Sequence, residues 1–537
     1  MENLVLDMGK NNSLATVSLR KLAEEMAIVN MDMLQDKAIR SITADSRQAG
    51  PGALFVAIPG LTVDGHDFLE AAVKKGCAAV LVGKGRCRGW KHAKVACLEA
   101  ADTPKALGQA AAGFYGHPAR RMCMIGITGT NGKTTTTYLL ESIIRKAGGN
   151  PGVIGTVNYR YNAVEIPAPF TTPDPVSLHR ILAEMADNGV THAIMETSSH
   201  ALEQKRLAGI LFDAALFTNL SRDHLDFHGD MASYFASKKM LFTKYLKQDG
   251  KTVVICDRDD SDIDWGRRLL EELKADKALG YAGKQGRTLV DCGFSGTKVA
   301  VREARESLAG TVASLTTPIG ELQVRSDLVG AFNLKNLLGA VGVAVALGIP
   351  GEKIVDGLAQ AQAAPGRLER VASPAGVSVF VDFAHSPDAL ANVLQTMRSL
   401  TSGRLIVIFG CGGDRDRGKR PLMGKVAGTK ADVVVLTSDN PRSEQPASIL
   451  RDIEAGLLQT ALPRQRLEAL LRQEAMHGYD IVPSRREAIR ETIRHARPGD
   501  VVLLCGKGHE TYQITPEGKF FFDDRLEAAA QAAVINW

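Results

Sequence analysis

The sequence lacks any apolar run that approaches the roughly 20 residues of a membrane-spanning helix. Hydrophobic residues make up 45% of the 537 residues and charged residues 23%, a balance typical of globular proteins in water. The N-terminal stretch also lacks a secretory signal, because Glu2 and Asp7 stand where such signals carry positive charge and no A-x-A-like site follows. We therefore expect a cytoplasmic protein without a membrane span.

The cysteines lack the C-x-x-C spacing that is typical of thiol redox motifs and zinc sites. Several of them lie in apolar, strand-like runs such as VVLLCGKG. We predict that all are reduced and that most are buried, as is usual in the cytoplasm. The eight cysteines are Cys77, Cys87, Cys97, Cys123, Cys256, Cys292, Cys411 and Cys505.

Charge of one sign is not concentrated in any segment. The 65 Lys and Arg residues and 60 Asp and Glu residues leave a formal net charge of +5, which is small for a protein of this length. Nucleic-acid binding therefore has little support, whereas a site for anionic small molecules stays open. We expect small-molecule substrates, no nucleic acid and a monomer.

The chain is too long for one hydrophobic core, and its pattern divides it into three segments. From about residue 15 to 117, short strands alternate with helix-like stretches such as HDFLEAAVKKG. Residues 122–363 contain further strand–helix units and a long apolar helix pattern, VGAFNLKNLLGAVGVAVALGI. After AAPGRLERV, apolar strands recur and each ends in a polar or glycine-rich loop, as in a doubly wound parallel sheet. We predict an α/β protein with an N-terminal α/β domain at 1–118, a central domain with a mainly parallel sheet at 119–363 and a Rossmann-like doubly wound domain at 364–537.

A glycine-rich loop between a strand and a helix carries the most informative motif. MCMIGITG is typical of a buried strand, and KTTTTYLLESIIRKA of a helix with one apolar face. Such a junction points backbone N–H groups and the positive end of the helix at a phosphate, while Lys133 adds a charge and Thr134 a hydroxyl for Mg2+. The usual G-x-x-x-x-G-K-[ST] pattern is broken at Ile127, so the loop is a variant, and an ordinary glycine-rich turn is the alternative. We predict a P-loop ATPase-like central domain that binds ATP through Gly129, Thr130, Asn131, Gly132, Lys133, Thr134 and Thr135.

Candidate metal ligands follow downstream, because ATP chemistry needs Mg2+ and Mg2+ needs hard oxygen ligands. THAIMETSSHAL is typical of a strand that ends at Glu196, at the sheet edge where phosphates bind. The polar stretch TNLSRDHLDFHG contains His224 and suggests catalysis; capped turns are the alternative, and zinc is not favoured because no cysteine joins the stretch. Lys238 and Lys239 are predicted to begin a helix, and for either lysine a solvated face is the alternative interpretation.

Ten motifs in a fixed order resemble one family across nearly the whole chain. They are GTNGKTTT, ETSSHAL, TNLSRDHLDFHG, SKKMLF, GAFNLKN, APGRLE, VDFAHSPDAL, GCGGDRDRGKRPLM, DNPRSE and GKGHE. Together they are similar to the motifs of the Mur ligases, which join amino acids to the peptide of the peptidoglycan precursor. Within that family the chain resembles the members that add meso-2,6-diaminopimelate to UDP-N-acetylmuramoyl-L-alanyl-D-glutamate. The resemblance implies a uridine-nucleotide-binding N-terminal domain and an amino-acid-binding C-terminal domain.

The resemblance implies ATP-dependent formation of an amide bond. The substrate carboxylate attacks the γ-phosphate of ATP to give an acyl phosphate and ADP, and the incoming amine displaces phosphate through a tetrahedral intermediate. Each step moves negative charge, so stabilisation by Mg2+ and lysines is expected to be the largest catalytic effect. Closure of the C-terminal domain is expected to exclude water and protect the acyl phosphate.

The family's motifs also imply residue roles around ATP. Lys133 is expected to hold the β- and γ-phosphates, Thr134 and Glu196 the first Mg2+, and His224 a second. Lys238 stands where the family carries a carbamylated lysine, since a carbamate offers Mg2+ an anionic oxygen whereas an ammonium would repel it. The implied catalytic residues are Lys133, Glu196, His224 and Lys238, and the implied metal ligands are Thr134, Glu196, His224 and carbamylated Lys238. Further ATP contacts are implied for Asn333, Asn336, Arg367, Asp382 and His385.

The same matching implies contacts for the other two substrates. For the UDP-N-acetylmuramoyl dipeptide these are Ser46, Arg47, Thr171, Thr172, Ser198, Gln204, Arg206 and Lys238, with His66 a weaker candidate. For diaminopimelate they are Arg415, Asp439, Asn440, Pro441, Arg442, Gly506 and Glu510. The Arg442 fork suits the second carboxylate of diaminopimelate, whereas L-lysine would present an ammonium there and be repelled. Glu510 is expected to pair with the distal ammonium.

Two residues depart from the family's motifs, and several alternatives stay open. Phe383 stands where the family often has Tyr, and Ser484 where Asp is usual. A lysine-adding relative and a folylpolyglutamate synthetase are the nearest alternatives; Arg442 argues against the first and the uridine-nucleotide-type N-terminal domain against the second. In other classes, an NTPase switch or motor need not carry DNPRSE or GKGHE. A binding module without catalysis has little use for Lys133, Glu196 and His224 together.

Overall fold

The computed structural model describes residues 16–60, 63–256, 263–281, 286–294, 296–372, 376–472 and 477–534. The stretch 1–15, which carries the expectation against export, lies outside these residues. The chain forms two compact units. The first contains the described residues of 1–130, 148–253 and 258–289, and the second contains those of 131–147, 254–257 and 290–537.

The strands and helices follow the alternation that the sequence predicts. The strands are β1 (Val17–Ser18), β2 (Ala38–Ile39), β3 (Ser41–Thr43), β4 (Ala53–Val56), β5 (Ala79–Gly83), β6 (Ala96–Ala100), β7 (Cys123–Thr128), β8 (Pro151–Ile154), β9 (Asn158–Tyr161), β10 (Val164–Pro167), β11 (His192–Glu196), β12 (Phe212–Phe217), β13 (Leu246–Ile255), β14 (Thr288–Gly293), β15 (Val299–Ser307), β16 (Gly310–Thr317), β17 (Gly320–Ser326), β18 (Glu369–Ala372), β19 (Ser378–Asp382), β20 (Leu405–Phe409), β21 (Val433–Leu436), β22 (Gly478–Ile481), β23 (Val501–Cys505), β24 (Tyr512–Thr515) and β25 (Gly518–Phe521). The helices are α1 (Leu19–Glu25), α2 (Leu69–Lys74), α3 (Thr103–Phe114), α4 (Lys133–Lys146), α5 (Pro175–Asp187), α6 (Ser199–Glu203), α7 (Leu225–His228), α8 (Met231–Lys244), α9 (Trp265–Ala275), α10 (Ala331–Ala346), α11 (Gly351–Gln360), α12 (Pro387–Leu400), α13 (Lys419–Lys430), α14 (Pro446–Leu457), α15 (Leu467–Leu471), α16 (Arg485–His495) and α17 (Asp524–Val534). Short 3-10 turns lie at Met31–Met33, Gly65–Phe68, Pro118–Arg121 and Lys277–Leu279.

Within its described residues, the first unit contains two large sheets and the short antiparallel pair β1-β2. Its N-terminal sheet has the order β3-β4-β5-β6 with parallel neighbours, and apolar residues fill a core on both of its faces. Its second sheet runs β10-β9-β8-β11-β7-β12-β13, in which β8, β11, β7 and β12 are parallel. The antiparallel hairpin of β9 and β10 extends one edge. The parallel centre brings the carboxyl ends of β7 and β11 to the same edge, where open α/β sheets bind ligands.

The second unit contains an antiparallel meander and a doubly wound sheet. Strands β15, β16 and β17 pair antiparallel. The other sheet has the order β18-β19-β23-β20-β21-β22, in which all neighbours from β19 to β22 are parallel. Apolar clusters cover both of its faces, which explains why its strands are almost continuously hydrophobic. This is the predicted Rossmann-like arrangement.

Helix α4 confirms the helix predicted after the glycine loop. Its apolar residues Leu139, Leu140, Ile143 and Ile144 are all buried. The structure explains why serine can stand at position 484, where the family usually has aspartate. The Ser484 side chain accepts a hydrogen bond from the Glu487 N–H and caps α16. Ser and Asp are both good N-cap residues, so the exchange retains the cap. Within the described ranges, no helix combines the length and the apolar character needed to cross a bilayer.

Two sequence-based predictions are wrong. The helix predicted to begin at Lys238 begins at Met231, where Asp230 caps it by accepting from the Ser233 N–H. Six cysteines are free and five of these are buried, as predicted, but Cys87 and Cys97 form a disulfide. The reason is the fold, because Cys97 lies in β6 beside β5 and the loop after β5 returns Cys87 to it. Their Cα atoms are 6.0 Å apart, within the range that a disulfide spans.

Candidate active site

The phosphate loop has the backbone conformation that its glycines allow. Between β7 and α4, Gly129 has φ +152° and Gly132 φ +84°, values that residues with a side chain rarely adopt. Lys133 is the first residue of α4, so its N–H belongs to the first turn of the helix, where N–H groups point outward along the helix axis. Thr134 and Thr135 are buried in that turn. The loop therefore presents the N-terminus of a long helix, a suitable site for a phosphate.

Asn336 lies against this loop within the second unit. A Cβ atom on Gly132 would be 2.2 Å from Asn336 Oδ1, so only glycine fits there. The Asn336 amide donates to Asn333 Oδ1 at 3.0 Å, and Asn333 donates to the Val329 carbonyl at 2.9 Å. Both asparagines are buried on α10. The two predicted nucleotide contacts are thus joined to each other by a hydrogen bond, and Asn336 packs against Gly132 just before α4.

Lys238 is held next to the phosphate loop within the first unit. It is 1% exposed, so the alternative of a solvated face is wrong for this lysine. Its Nζ donates to the Gly129 carbonyl at 2.8 Å and lies 4.5 Å from the ring centre of Tyr234. The Tyr234 hydroxyl is 3.2 Å from Thr130 Oγ1. No sequence motif singles out Tyr234, although it precedes Lys238 by four residues and therefore lies one helical turn away.

Glu196 is fixed at the carboxyl end of β11, where the sequence predicted it. It is 1% exposed, and its carboxylate accepts from the Thr156 N–H at 2.9 Å and the Thr156 hydroxyl at 3.0 Å. Thr156, which follows β8, was also missed. His224 lies elsewhere in this unit, in the left-handed conformation with φ 52°. Its ring is half-exposed, 3.5 Å from Asp223 and 6.2 Å from the ring of Tyr234.

The predicted contacts of the muramoyl peptide come together around Glu196. Thr172 Oγ1 donates to the Glu196 carbonyl at 2.8 Å and accepts from the Ser198 N–H. The guanidinium of Arg206 donates to the Thr172 carbonyl at 2.9 Å and to Gln204 Oε1 at 2.7 Å. Thr171 completes the group, 3.1 Å from the Thr156 hydroxyl. These residues form a polar wall that combines hydroxyls with one cation.

The predicted uridine-nucleotide contacts differ in exposure. The Arg47 side chain is 84% exposed and forms a fork onto Asp45 at 2.9 Å. Ser46 beside it is partly buried. Both ring nitrogens of His66 already have partners in the protein, since one contacts Asp64 at 2.6 Å and the other accepts from the Gly83 N–H at 2.9 Å. Arg47 is therefore the better placed of these residues for an anionic ligand.

Three further predicted ATP contacts lie together in the second unit. Asp382 ends β19, and its carboxylate accepts from the N–H groups of Leu368 and Ala384. Burial raises the pKa of Asp382, although the Arg367 charge opposes this. Arg367 covers the Phe383 ring at 5.0 Å, and its buried Nε has no hydrogen-bond partner within the described residues. Burial lowers the pKa of His385, so its neutral form is favoured. An unsatisfied buried donor of this kind suits an anionic ligand.

The predicted amino-acid contacts meet at the carboxyl edge of the doubly wound sheet. The Asn440 amide donates to Glu510 Oε2 at 2.8 Å. A Cβ atom on Gly506 would lie 2.7 Å from Asp439 Oδ2, so the glycine lets the two loops approach. Burial raises the pKa of Asp439, while Lys507 and Arg485 oppose the rise. Lys507 is fully buried among these groups and was not predicted, although it stands inside the GKGHE motif.

Arg442 and Arg415 belong to two loops that Glu444 joins. Arg442 has φ 53° and donates to the Gly413 carbonyl at 2.8 Å. Pro441 packs there too, because a Cβ on Gly413 would be 1.9 Å from its carbonyl oxygen. Glu444 accepts from the Asp414 N–H at 2.7 Å and from the buried guanidinium of Arg420 at 2.8 Å. Arg415 is exposed in the same loop. The amino-acid pocket therefore has two guanidinium groups at its side, that of Arg442, which is partly buried, and that of Arg415, which is exposed.

The donor set suits a hard cation that also binds ligand oxygens. Among the described residues, no group of three or more His, Cys, Asp or Glu side chains could hold a metal by itself. Glu196 supplies a fixed carboxylate, and Mg2+ commonly takes only one or two protein carboxylates together with phosphate oxygens and water. The residues therefore fit nucleotide-bound Mg2+ better than a metal held entirely by protein side chains.

Comparison with known proteins identifies the family. Residues 38–115 match the description "Mur ligase family, catalytic domain", residues 127–344 match "Mur ligase middle domain", and residues 366–508 match "Mur ligase, glutamate ligase domain". The UDP-N-acetylmuramoyl-L-alanyl-D-glutamate–2,6-diaminopimelate ligase of Geobacter metallireducens is 44% identical over 92% of this chain and 94% of its own length. The same ligase of Geobacillus thermodenitrificans is 41% identical over 92% of this chain and 95% of its own length. A solved structure of such a ligase is 30% identical, with a TM-score of 0.68 over 97% of this chain and 99% of its own. The chain belongs to the Mur ligase family and has its three-domain α/β fold.

Proposed function

We propose that the protein is the ATP-dependent ligase that adds meso-2,6-diaminopimelate to UDP-N-acetylmuramoyl-L-alanyl-D-glutamate in peptidoglycan precursor synthesis. The observation that carries the proposal is the amino-acid pocket, where Glu510, Asn440 and Arg442 offer groups of both charges. The distal end of diaminopimelate carries an ammonium and a carboxylate and needs partners of both kinds. The relatives named as this ligase support the same substrate.

The chain's own residues account for activation of the substrate carboxylate. Lys133 and the N–H groups of the first turn of α4 hold the phosphates of ATP, and they stabilise the negative charge that develops during phosphoryl transfer. The buried Nε–H of Arg367 donates to the nucleotide. Asn333 and Asn336 of α10 hold the phosphate loop in shape. The amine of the second substrate then attacks the acyl phosphate, and phosphate leaves.

The polar wall of the first unit positions the muramoyl peptide. Arg206 supplies a cation for a substrate carboxylate, and Thr172 and Ser198 supply hydroxyls. Arg47 and Ser46 contact the uridine nucleotide, where the exposed guanidinium can meet a phosphate. These roles follow the family resemblance, and the observed grouping supports them.

Mg2+ is proposed as the cofactor, with ATP as co-substrate. Glu196, His224 and a carbamylated Lys238 are the proposed ligands in the first unit, and the Thr134 hydroxyl is the fourth proposed ligand. The ion supplies charge neutralisation for the transferring phosphoryl group. Burial of Lys238 beside the phosphate loop supports the modification, because a carbamate there would offer Mg2+ an anionic oxygen, whereas a buried ammonium would repel the ion.

The remaining proposals concern the whole chain. We propose a monomer that acts in the cytoplasm on small molecules, without nucleic acid. We also propose domain boundaries near residues 118 and 363. The spans matched by the family descriptions lie inside these boundaries and support them.

Phosphate release tests the proposal directly. The purified protein is incubated with ATP, Mg2+ and UDP-N-acetylmuramoyl-L-Ala-D-Glu, with added meso-diaminopimelate, added L-lysine or no amino acid. We expect release that depends on diaminopimelate. Release with lysine instead would retain the ligase and reject the amino-acid specificity. Equal release without an amino acid would place the protein among the NTPases.

A further inference from the structure

Lys507 is a buried cation that the proposed reaction does not use. Its side chain is 0% exposed, and Nζ donates to the Tyr512 carbonyl. The same Nζ lies 3.3 Å from Asn440 Oδ1, 3.5 Å from Glu510 Oε2 and 3.9 Å from Asp439 Oδ1. A buried ammonium is unfavourable unless it is paired, so this position implies a requirement for its charge.

The charges of the pocket balance only when Lys507 is included. Asp439 and Glu510 contribute two negative charges, and Arg442 contributes one positive charge at its edge. The neighbouring pair of Arg485 and Asp524 is fully buried, 2.6 Å apart, and neutral as a pair. Lys507 supplies the second positive charge, which brings the buried and partly buried groups of the pocket to net zero; Arg415 is left out of this sum because it is exposed and water screens its charge.

We propose that Lys507 is a specificity-determining and positioning residue, whose charge makes the pocket select an amino acid with a net-neutral distal group. The inference rests on the proposed function, because it takes these residues to be the diaminopimelate pocket. The distal end of diaminopimelate carries one ammonium and one carboxylate, so binding leaves the pocket neutral. L-Lysine would leave one positive charge in excess, and 2-aminopimelate, which lacks the distal amine, would leave one negative charge in excess.

Position adds to the effect of charge. Lys507 contacts the side chain that orients Glu510, since the Asn440 amide donates to Glu510 while its carbonyl faces Nζ and accepts from the Ile514 N–H. The ammonium and the Ile514 N–H therefore together fix which way the Asn440 amide points. Without the ammonium, the Asn440 carbonyl keeps one donor instead of two, and the bond from its amide to Glu510 is held less firmly.

The test measures kcat and KM of the full-length enzyme for diaminopimelate, L-lysine and 2-aminopimelate. Lys507→Met leaves the pocket with a net negative charge. We expect its kcat/KM ratio of diaminopimelate to L-lysine to fall by at least about tenfold, mainly through KM, while 2-aminopimelate becomes a poorer substrate. Lys507→Arg keeps the charge and retains the wild-type order of substrates. The KM for ATP stays unchanged in both variants.

Three further variants distinguish an effect of charge from an effect on folding. Lys519→Met is the matched control, because Lys519 is exposed and lies 3.9 Å from the ring of the same Tyr512; it should leave all three substrates unaffected. Glu510→Gln makes the pocket positive and should favour 2-aminopimelate over L-lysine. The double variant Lys507→Met with Glu510→Gln restores neutrality, and it should recover part of the wild-type ratio even if Lys507→Met alone fails to fold.

Each outcome bears on a separate claim. Wild-type activity with diaminopimelate tests the proposed function, whereas the variant ratios test Lys507. An unchanged ratio in Lys507→Met, with kcat lowered equally for every substrate, would make Lys507 merely structural and overturn the inference. A double variant whose ratio is no closer to wild type than that of either single variant would overturn it as well.

Discussion

At the scale of single residues, the sequence motifs indicate the proposed substrate contacts but not the residues that hold them in place. Glu196 and Asn440 stand in recognisable motifs, but Thr156, which fixes Glu196, belongs to a different strand end. The contact between Thr156 and Glu196 joins residues 40 positions apart, and nothing about a threonine or a glutamate predicts such a pairing from sequence. Lys238 was predicted to be modified, yet its burial depends on the packing of α8, which the sequence pattern placed seven residues too late.

Arg442→Lys should selectively lower the activity of the enzyme with diaminopimelate. A lysine keeps the charge but loses the planar fork, and φ 53° disfavours both residues to a similar degree. The loss of one charged hydrogen bond, about 1.5–3 kcal/mol, predicts a fall of about 10- to 150-fold in kcat/KM for diaminopimelate, with KM for ATP unchanged. Steady-state kinetics measure both constants. Arg466→Lys, at an exposed position of the same unit, is the control, and an equal loss in that variant would contradict the assignment.

Glu444 should make the second unit sensitive to acid. Its contacts with Arg420 and the Asp414 N–H lower the pKa of Glu444 from 4.5 to about 2. Because the folded protein binds this proton less readily than the unfolded chain, the stabilisation is complete above pH 4.5 and is lost as pH falls toward 2. Glu444→Gln should lower the melting temperature at neutral pH and flatten its decline between pH 5 and 3.

Melting curves of wild type and Glu444→Gln across that range provide the measurement. Glu468→Gln removes a carboxylate that pairs with Arg472 on an exposed surface and serves as the matched control. Parallel pH profiles for wild type and Glu444→Gln would show that the loop junction contributes nothing to acid stability.

At the scale of elements, the sequence predicted most strands because the sheets are parallel and buried. Strands such as β20 and β23 are apolar throughout and are followed by polar loops, so their ends are easy to read. The start of α8 was missed because Asp230, its cap, lies in a stretch crowded with polar residues that could each have been a cap. The disulfide was missed because a C-x9-C spacing has no meaning until β5 and β6 are known to be neighbours.

Gly132→Ala should disable the junction between the phosphate loop and α4. The alanine meets both a left-handed backbone, φ +84°, and Asn336 Oδ1 at 2.2 Å from its Cβ. Backbone strain alone costs about 1–3 kcal/mol, and the contact with Asn336 adds to it. We expect the Kd for ATP to rise by at least about tenfold, measured by calorimetry, while the rest of the chain stays folded.

Gly85→Ala separates the effect of backbone strain from the effect of the contact with Asn336. Gly85 has φ +82°, but no atom lies within 4 Å of its Cβ position, so the substitution carries the strain without the clash. It should reduce stability slightly and leave ATP binding intact. If Gly132→Ala bound ATP as tightly as Gly85→Ala does, the proposed role of this junction would be wrong.

At the scale of the whole molecule, the order of the motifs predicted more than any single one. The ten motifs span the chain from the phosphate loop to GKGHE, and the family descriptions match three successive spans of the same chain. The fold class and the family were therefore predictable. The redox state was not, because it depends on the surroundings of the protein as well as on geometry.

Reduction should loosen the first unit without unfolding it. The Cys87–Cys97 bond closes a loop with a sequence separation of 10, and cross-links of that size are worth about 2–3 kcal/mol in chain entropy. We expect a reductant to lower the unfolding free energy of the wild-type first unit by about that amount in urea titrations. The variant with both cysteines changed to serine should have the lower unfolding free energy from the outset. A reductant should not change it further, since the other six cysteines are free thiols. The proposed function places the enzyme under reducing conditions, so its catalytic rate is expected to be the same in both states. A rate that falls on reduction would place the loop between β5 and β6 in the working site of the enzyme.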